Sequence, residues 1–434
     1  MTDTVPTSNL KSRVWKSGGW SLARVAITGS TQFATLVILL RLLDTSDFGE
    51  LSIVMVVLTL TQAFTQTGID LALVRQRGDI SRWLSPFFSL QVARGAALGG
   101  LIALSAVPIS IWQGTPVLAD YLLVVSLVPL LEGLRGVSSL IFVRNLEQKV
   151  PTIVDGSCAV ISLISLTALA FWLRSPWAVI FNQLFATGLR SLAYHLCHPL
   201  RVHFTRDWSS LRQFLRFGVG FNLAQTSGTL IDTLDRLMIG RHLGLGSLGL
   251  YDRSAALANY GLYLLPQFFS TVITPAFAGI AGDRPKFWRV ARRYLIWVAF
   301  GGALLTGLVR LGDRFLLAIA AGDKAADLLP FFRILLLCAF LRGIGWLAQA
   351  LLDILGRPQL RAAINVTHTI VIVAGLSWVL VSGELWRACV VALVGSAVSA
   401  VLSIGMVVAL ARETQAAVGI EPGKVAASAA QPAK

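Results

Sequence analysis

Twelve apolar runs follow one another through most of this 434-residue chain, separated by short charged turns. A run of about 18 or more apolar residues satisfies its backbone polar groups within its own helix, so it can cross a hydrocarbon layer of ~30 Å. The runs read as helices over 18–42, 50–70, 86–111, 117–141, 152–173, 176–195, 216–241, 248–278, 291–311, 328–352, 360–381 and 386–411. The ninth runs on into Arg310–Gly322, either a bent extension or a short re-entrant piece. With 55% hydrophobic and 14% charged residues, the chain carries more apolar surface than a soluble fold of this length can hide. The class is an all-α integral membrane protein.

The net charge of +15 follows the helix boundaries. If the N-terminus is cytoplasmic, the inside segments hold 23 Lys and Arg and the outside turns hold 7. Basic loops are retained on the cytoplasmic side, which places both termini there and requires an even number of spans. Tryptophans such as Trp15, Trp83, Trp112, Trp172, Trp177, Trp208, Trp288 and Trp386 fall near span ends, as interfacial anchors do. The basic excess is not interleaved with aromatics and comes with no nucleic-acid motif, so nucleic acid is not an expected partner. Cys158, Cys197, Cys338 and Cys389 lie in or beside apolar runs without paired spacing and read as small buried hydrophobes.

The chain also matches itself at an offset of 200. Gly18 falls on Gly218, Arg41 on Arg241, Leu43 on Leu243 and Gly49 on Gly249. Any helical hairpin needs a cation at one helix end and a cap at the next start. Arg41 and Arg241 supply the first, and Ser46 or Asp47 (with Glu50) and Ser247 the second. Hairpin chemistry does not explain the shared register; duplication of a six-span unit does. Six is even, so both copies enter from the same side as a parallel repeat, with two six-helix lobes facing a central cavity. The expected division is a cytoplasmic segment 1–17, an N-lobe 18–195, a cytoplasmic linker 196–215, a C-lobe 216–411 and a disordered cytoplasmic tail 412–434.

The stretch from Ser17 through "LRLLDTSDFGELSIV", "TGIDLALVRQ" at Thr67–Gln76 and "DRLMIGRHLGLGSLGLYDRS" at Asp235–Ser254 resembles the Wzx-type polysaccharide flippases. These belong to the superfamily that also holds multidrug extruders and lipid II flippases. The first turn departs from the family by carrying Asp44-Thr45-Ser46-Asp47 where a proline often precedes the acidic residue. The resemblance implies transfer of undecaprenyl-diphosphate-linked sugar units across a bacterial inner membrane for exopolysaccharide, O-antigen or capsule synthesis. Membrane lipids, a polysaccharide polymerase and export machinery are the partners it implies.

Such a cargo needs buried cations for its phosphates. Once the cations assigned to the inside and outside segments, Arg190 among them, are set aside, seven arginines remain in spans or at their edges: Arg24, Arg94, Arg135, Arg236, Arg253, Arg333 and Arg342. Each would cost ~2.5–3.5 kcal/mol facing lipid, so each must face protein, water or the interface. Arg24, Arg94 and Arg236 are the first candidates for phosphate binding, with Arg135 and Arg253 next. The competing reading is structural pairing, Arg135 with Glu132 and Arg236 with Asp232. Gly95 and Gly99, beside Arg94, would let a neighbouring helix approach closely. Asp232, Asp235, Glu132 and Asp70 are the candidates for coupling to an H⁺ or Na⁺ gradient. Pro108, Pro129, Pro266 and Pro275 offer sites for helix bending.

No cofactor or metal is expected. His195, Cys197, His198 and His203 cluster at one span end, but no carboxylate or second cysteine completes a ligand set. A membrane polymerase or glycosyltransferase would need a substantial soluble segment, and the longest inter-span stretch is 196–215, so the chain is not expected to be an enzyme. A cation-coupled small-molecule extruder, the main alternative, would favour a carboxylate-rich interior.

Overall fold

The computed structural model describes residues 7–63, 81–144, 147–197, 204–205, 229, 233–260, 277, 279–280, 282–379 and 383–428. All regular structure among them is helical. The first lobe contains α1 (Thr7–Leu42), α2 (Thr45–Ala63), α3 (Ser81–Gln113), α4 (Val117–Val125), α5 (Val128–Arg144), α6 (Lys149–Leu173) and α7 (Trp177–Cys197). The second contains the helical stretch 233–260. It continues with α8 (Arg284–Leu311), α9 (Asp313–Ala321), a 3₁₀ turn (Gly322–Lys324), α10 (Ala325–Ile354), α11 (Pro358–Val379) and α12 (Leu385–Ser428). Eight helices among the described residues are long and apolar enough to cross a membrane.

Several boundaries differ from the expected spans. The fourth span breaks into α4 and α5 at Ser126–Leu127, because Pro129 has no N–H to carry the helical ladder through. The continuation of the ninth span is a separate nine-residue helix, α9. The last helix runs to Ser428, past the expected span end at 411. Its first residues beyond Arg412, "ETQAAV", favour helix well enough to extend it.

In the first lobe α1 packs on α6, α6 on α7, α7 on α5 and α5 on α3. Three glycines set the last spacing. A Cβ on Gly95 would lie 2.4 Å from the Pro129 carbonyl oxygen, one on Gly99 2.3 Å from that of Ser126, and one on Gly133 2.5 Å from that of Gln91. Backbone therefore meets backbone where α4 breaks into α5, as the glycines beside Arg94 suggested. In the second lobe α10 packs on α8, α9 and α12, and α11 packs on α12.

The repeat is visible as a contact. Gly49 sits against the Leu245 backbone, and Gly249 against that of Thr45. The two contacts exchange under the 200-residue offset, so the pseudo-twofold relation of the lobes runs through the matched turns. The first turn starts its helix earlier than expected. With α2 beginning at Thr45, Asp44 takes the cap position, and the Asp47 carboxylate reaches back toward the Asp44 N–H at 3.5 Å. In the second turn Gly244 adopts φ +83°, a left-handed conformation that a side chain would disfavour.

The largest apolar core straddles both lobes at this end. Leu40, Leu43, Ile53 and Val54 of the first lobe join Ile239, Leu248, Leu317 and Leu328 of the second. Polar ties reinforce it. The Leu43 carbonyl accepts from Arg253 (2.7 Å) and from Lys324 Nζ (2.6 Å), which also pairs with Asp44 at 3.2 Å. Arg41 donates to the Ile319 carbonyl, and Tyr260 donates to the Gly29 carbonyl further down α1. Together these hold the lobes closed at the turn end.

Candidate functional site

A polar cavity of about 460 Å³ lies within the first lobe. It is lined by Arg24, Thr28, Thr31, Gln32 and Thr35 of α1, Glu132 and Arg135 of α5, Asp155 and Ser162 of α6, and Asn182, Gln183, Thr187 and Arg190 of α7. The placement follows from helix geometry. Arg24, Thr28, Thr31 and Thr35 recur at intervals of three and four residues, which puts them on one stripe of α1. Gln183, Thr187 and Arg190 do the same on α7, with Asn182 next to Gln183.

Three guanidiniums meet two carboxylates in this space. Asp155 stands between Arg24 Nη1 and Arg190 Nε, 3.5 Å from each. Both distances exceed the 2.7–2.9 Å of a tight charge-assisted hydrogen bond. Arg190 Nε, though buried, has no hydrogen-bond partner. The two arginines thus share one carboxylate loosely and keep donor capacity toward the cavity. Glu132 accepts from Gln62 Nε2 at 2.9 Å. Arg135 lies 6.0 Å from the centre of the Tyr194 ring, within cation–π range. Asn182 Nδ2 donates to Ser162 Oγ at 3.0 Å, and its Oδ1 remains unbonded.

Of the residues singled out from sequence, Arg24, Arg135 and Glu132 therefore come together in one cavity. Arg94, on α3, is not among the lining residues but lies near enough to Glu132 to act on its charge. Arg190 was missed, because its position near the end of a span made it look like a loop cation. Its signal was the i+3/i+4 spacing behind Asn182, Gln183 and Thr187. Asp155 was visible as an in-span acid, but nothing in sequence placed it between two arginines.

The other candidates lie elsewhere. Arg236 pairs with Asp252 at 2.5 Å. The expected alternative partner, Asp232, lies outside the described residues, as does Asp70. Asp235 is buried and accepts from the Tyr251 hydroxyl at 2.5 Å and from the Arg236 N–H at 2.8 Å. Asp235, Arg236, Tyr251 and Asp252 thus form a second polar cluster in the second lobe. Arg253 is fully buried at the paired turns, its guanidinium 5.1 Å from the Phe48 ring centre, so it ties the lobes together and does not line the cavity. Arg333 and Arg310 both bind the buried Asp313, at 2.8 and 2.7 Å. Among the described residues, no group of three or more His, Cys, Asp and Glu is arranged to hold a metal ion.

Residues 38–302 match the family described as polysaccharide biosynthesis protein. The lipopolysaccharide biosynthesis protein WzxC of Escherichia coli (strain K12) is 24% identical over 381 residues, 85% of this chain and 75% of that protein. The succinoglycan biosynthesis transport protein ExoT of Rhizobium meliloti (strain 1021) is 25% identical over 289 residues, 65% of this chain and 57% of that protein. Among solved structures, the lipid II flippase MurJ in an inward closed conformation superimposes with a TM-score of 0.71 at 13% identity, over 89% of this chain and 87% of that one. An inward-facing multidrug resistance MATE family transporter of the MOP superfamily gives a TM-score of 0.65 at 14% identity, over 91% of this chain and 99% of that one. At these identities the structural likeness is one of fold.

Proposed function

The chain belongs to the polysaccharide biosynthesis protein family, and on that premise we propose that it flips a lipid-linked oligosaccharide between membrane leaflets. The cargo is a prenyl-diphosphate-linked sugar unit, carried from the cytoplasmic to the outer leaflet of a bacterial inner membrane, with both termini of the carrier cytoplasmic. The observation that carries this reading is the cavity of the first lobe, where Arg24, Arg135 and Arg190 outnumber Glu132 and Asp155.

The chemistry follows from the geometry. Arg24 and Arg190 already converge on one carboxylate at 3.5 Å, too far for strong hydrogen bonds. A diphosphate offers more oxygens and more charge than Asp155, so it competes for the same guanidinium forks. The hydroxyls and amides of Thr28, Thr31, Gln32, Asn182 and Gln183 give a sugar donors and acceptors without fixed charge. Closure at the paired turns leaves the opposite end as the side of entry, and separating the turns releases the cargo there, as alternating access requires. Glu132, hydrogen-bonded to Gln62 and close to Arg135 and Arg94, is the acid best placed to link a proton or Na⁺ to that cycle. A small-molecule extruder for cations would need the opposite charge balance in this cavity.

The test is deletion in the native host with analysis of surface and exported polysaccharide, then complementation. The wild-type chain should restore export, and Arg24→Ala, Arg135→Ala and Arg190→Ala should not, while remaining in the membrane at normal abundance. Unchanged polymer in the deletion strain, with no second flippase present, would overturn the assignment. Full export by all three variants would overturn the role of the cavity.

A further inference from the structure

A second large cavity, of about 590 Å³, opens between the first half of α8 and the Val407–Arg412 stretch of α12. Its lining joins Arg289, Arg292, Arg293 and Arg412 to Trp288, Leu295, Val407 and Val408. Arg289, Arg292 and Arg293 stand at i, i+3 and i+4, so one face of α8 carries three like charges, which repel one another unless an anion lies against them. All four arginines are exposed, and among the described residues none forms an ion pair. The nearest helix-start acid, Asp283, caps α8 by accepting from the Lys286 N–H at 3.1 Å.

One face of the helix below this cluster is uncovered. In its span, Pro285–Leu311, none of the most apolar window is buried. Ile296 is 58% exposed, Phe300 64% and Leu304 56%, and on the facing helix Val401 is 68% exposed. A cationic groove at one end of an uncovered apolar wall has the shape of a phospholipid: phosphate above, acyl chains below. The groove is built by the second lobe alone and lies at the opposite end of the molecule from the paired turns, apart from the first-lobe cavity.

We propose that this groove binds an anionic phospholipid of the surrounding leaflet, its phosphate held by Arg289, Arg292, Arg293 and Arg412 and its chains lying along α8. The cavity admits a glycerophosphate headgroup, and arginine forks match its oxygens. The four cations select a lipid with net negative charge over a zwitterionic one.

The test uses the purified full chain, delipidated in a neutral detergent, and measures binding of fluorescent phosphatidylglycerol, cardiolipin and phosphatidylethanolamine. Wild type should bind the two anionic lipids at least tenfold more tightly than phosphatidylethanolamine. Arg292→Gln/Arg293→Gln should lose that preference, whereas Lys149→Gln/Arg357→Gln, which removes two exposed cations elsewhere, should keep it. Size-exclusion profiles establish that each variant is folded. Unchanged preference in the groove variant, or equal loss in the control variant, overturns the site. One-for-one displacement of bound phosphatidylglycerol by undecaprenyl diphosphate would assign the groove to the cargo and overturn the choice of ligand.

Discussion

Replacing Gly249 by alanine tests whether the matched turns govern closure of the lobes. The added Cβ would lie 1.8 Å from the Thr45 carbonyl oxygen and 3.3 Å from the Gly49 nitrogen. A carbon–oxygen contact needs roughly 3.3 Å, so the two turns must separate by roughly 1.5 Å, and close-packed backbones do not yield that freely. Overpacking of this kind costs ~1–3 kcal/mol. Alanine also favours the helix over glycine by ~1 kcal/mol, but that gain is present whether the lobes are together or apart and cancels from the difference. The closed arrangement should therefore lose about 5–150-fold in population relative to the opened one. The assay is a distance measurement between spin labels at positions 172 and 386, which lie on different lobes at the turn end and are 82% and 51% exposed in the native chain. In a background lacking the native cysteines, Gly249→Ala should move the distribution to longer distances. Gly100→Ala, whose Cβ meets nothing within 4 Å, should leave it in place. Overlapping distributions for Gly249→Ala and its parent would mean that the matched turns do not govern closure.

Three further outcomes follow from the same geometry. Arg190→Ala removes the charge-assisted contact proposed to the cargo diphosphate, ~1.5–3 kcal/mol, so export should fall ~10–100-fold by polysaccharide quantification, and Arg190→Lys, a cation without the planar fork, should recover only part of it. Asp313→Asn takes the charge from a buried carboxylate that holds Arg310 and Arg333 at 2.7 and 2.8 Å. Because both arginines are partly exposed, the loss should be ~1–3 kcal/mol, read as a lower apparent melting temperature, with the first-lobe cavity intact. Gly95→Leu pushes side-chain atoms into the Pro129 carbonyl, where even a Cβ would lie at 2.4 Å, and should reduce the folded yield on size exclusion far more than Gly100→Leu.

Much of this molecule is determined by sequence alone. The apolar runs dictate helices, because in a membrane a backbone satisfies its own polar groups or pays for leaving them bare. The 200-residue register determines two related lobes, and Gly49 and Gly249 mark where they meet. Arg24, Arg135 and Glu132 could be singled out, because a charge within a span must face away from lipid. Which charges share a space was not legible. Arg135 and Arg253 look alike in sequence, yet one lines a cavity and the other is buried against Phe48 and the Leu43 carbonyl. Arg190, which counts as a cytoplasmic-side cation in sequence, joins Arg24 through Asp155 although the three sit on different helices. Periodicity states which face of a helix a residue occupies. Only the packing of α1, α6 and α7 decides which faces meet, and a guanidinium acts on an anion over a few ångströms, a scale that sequence separation does not record.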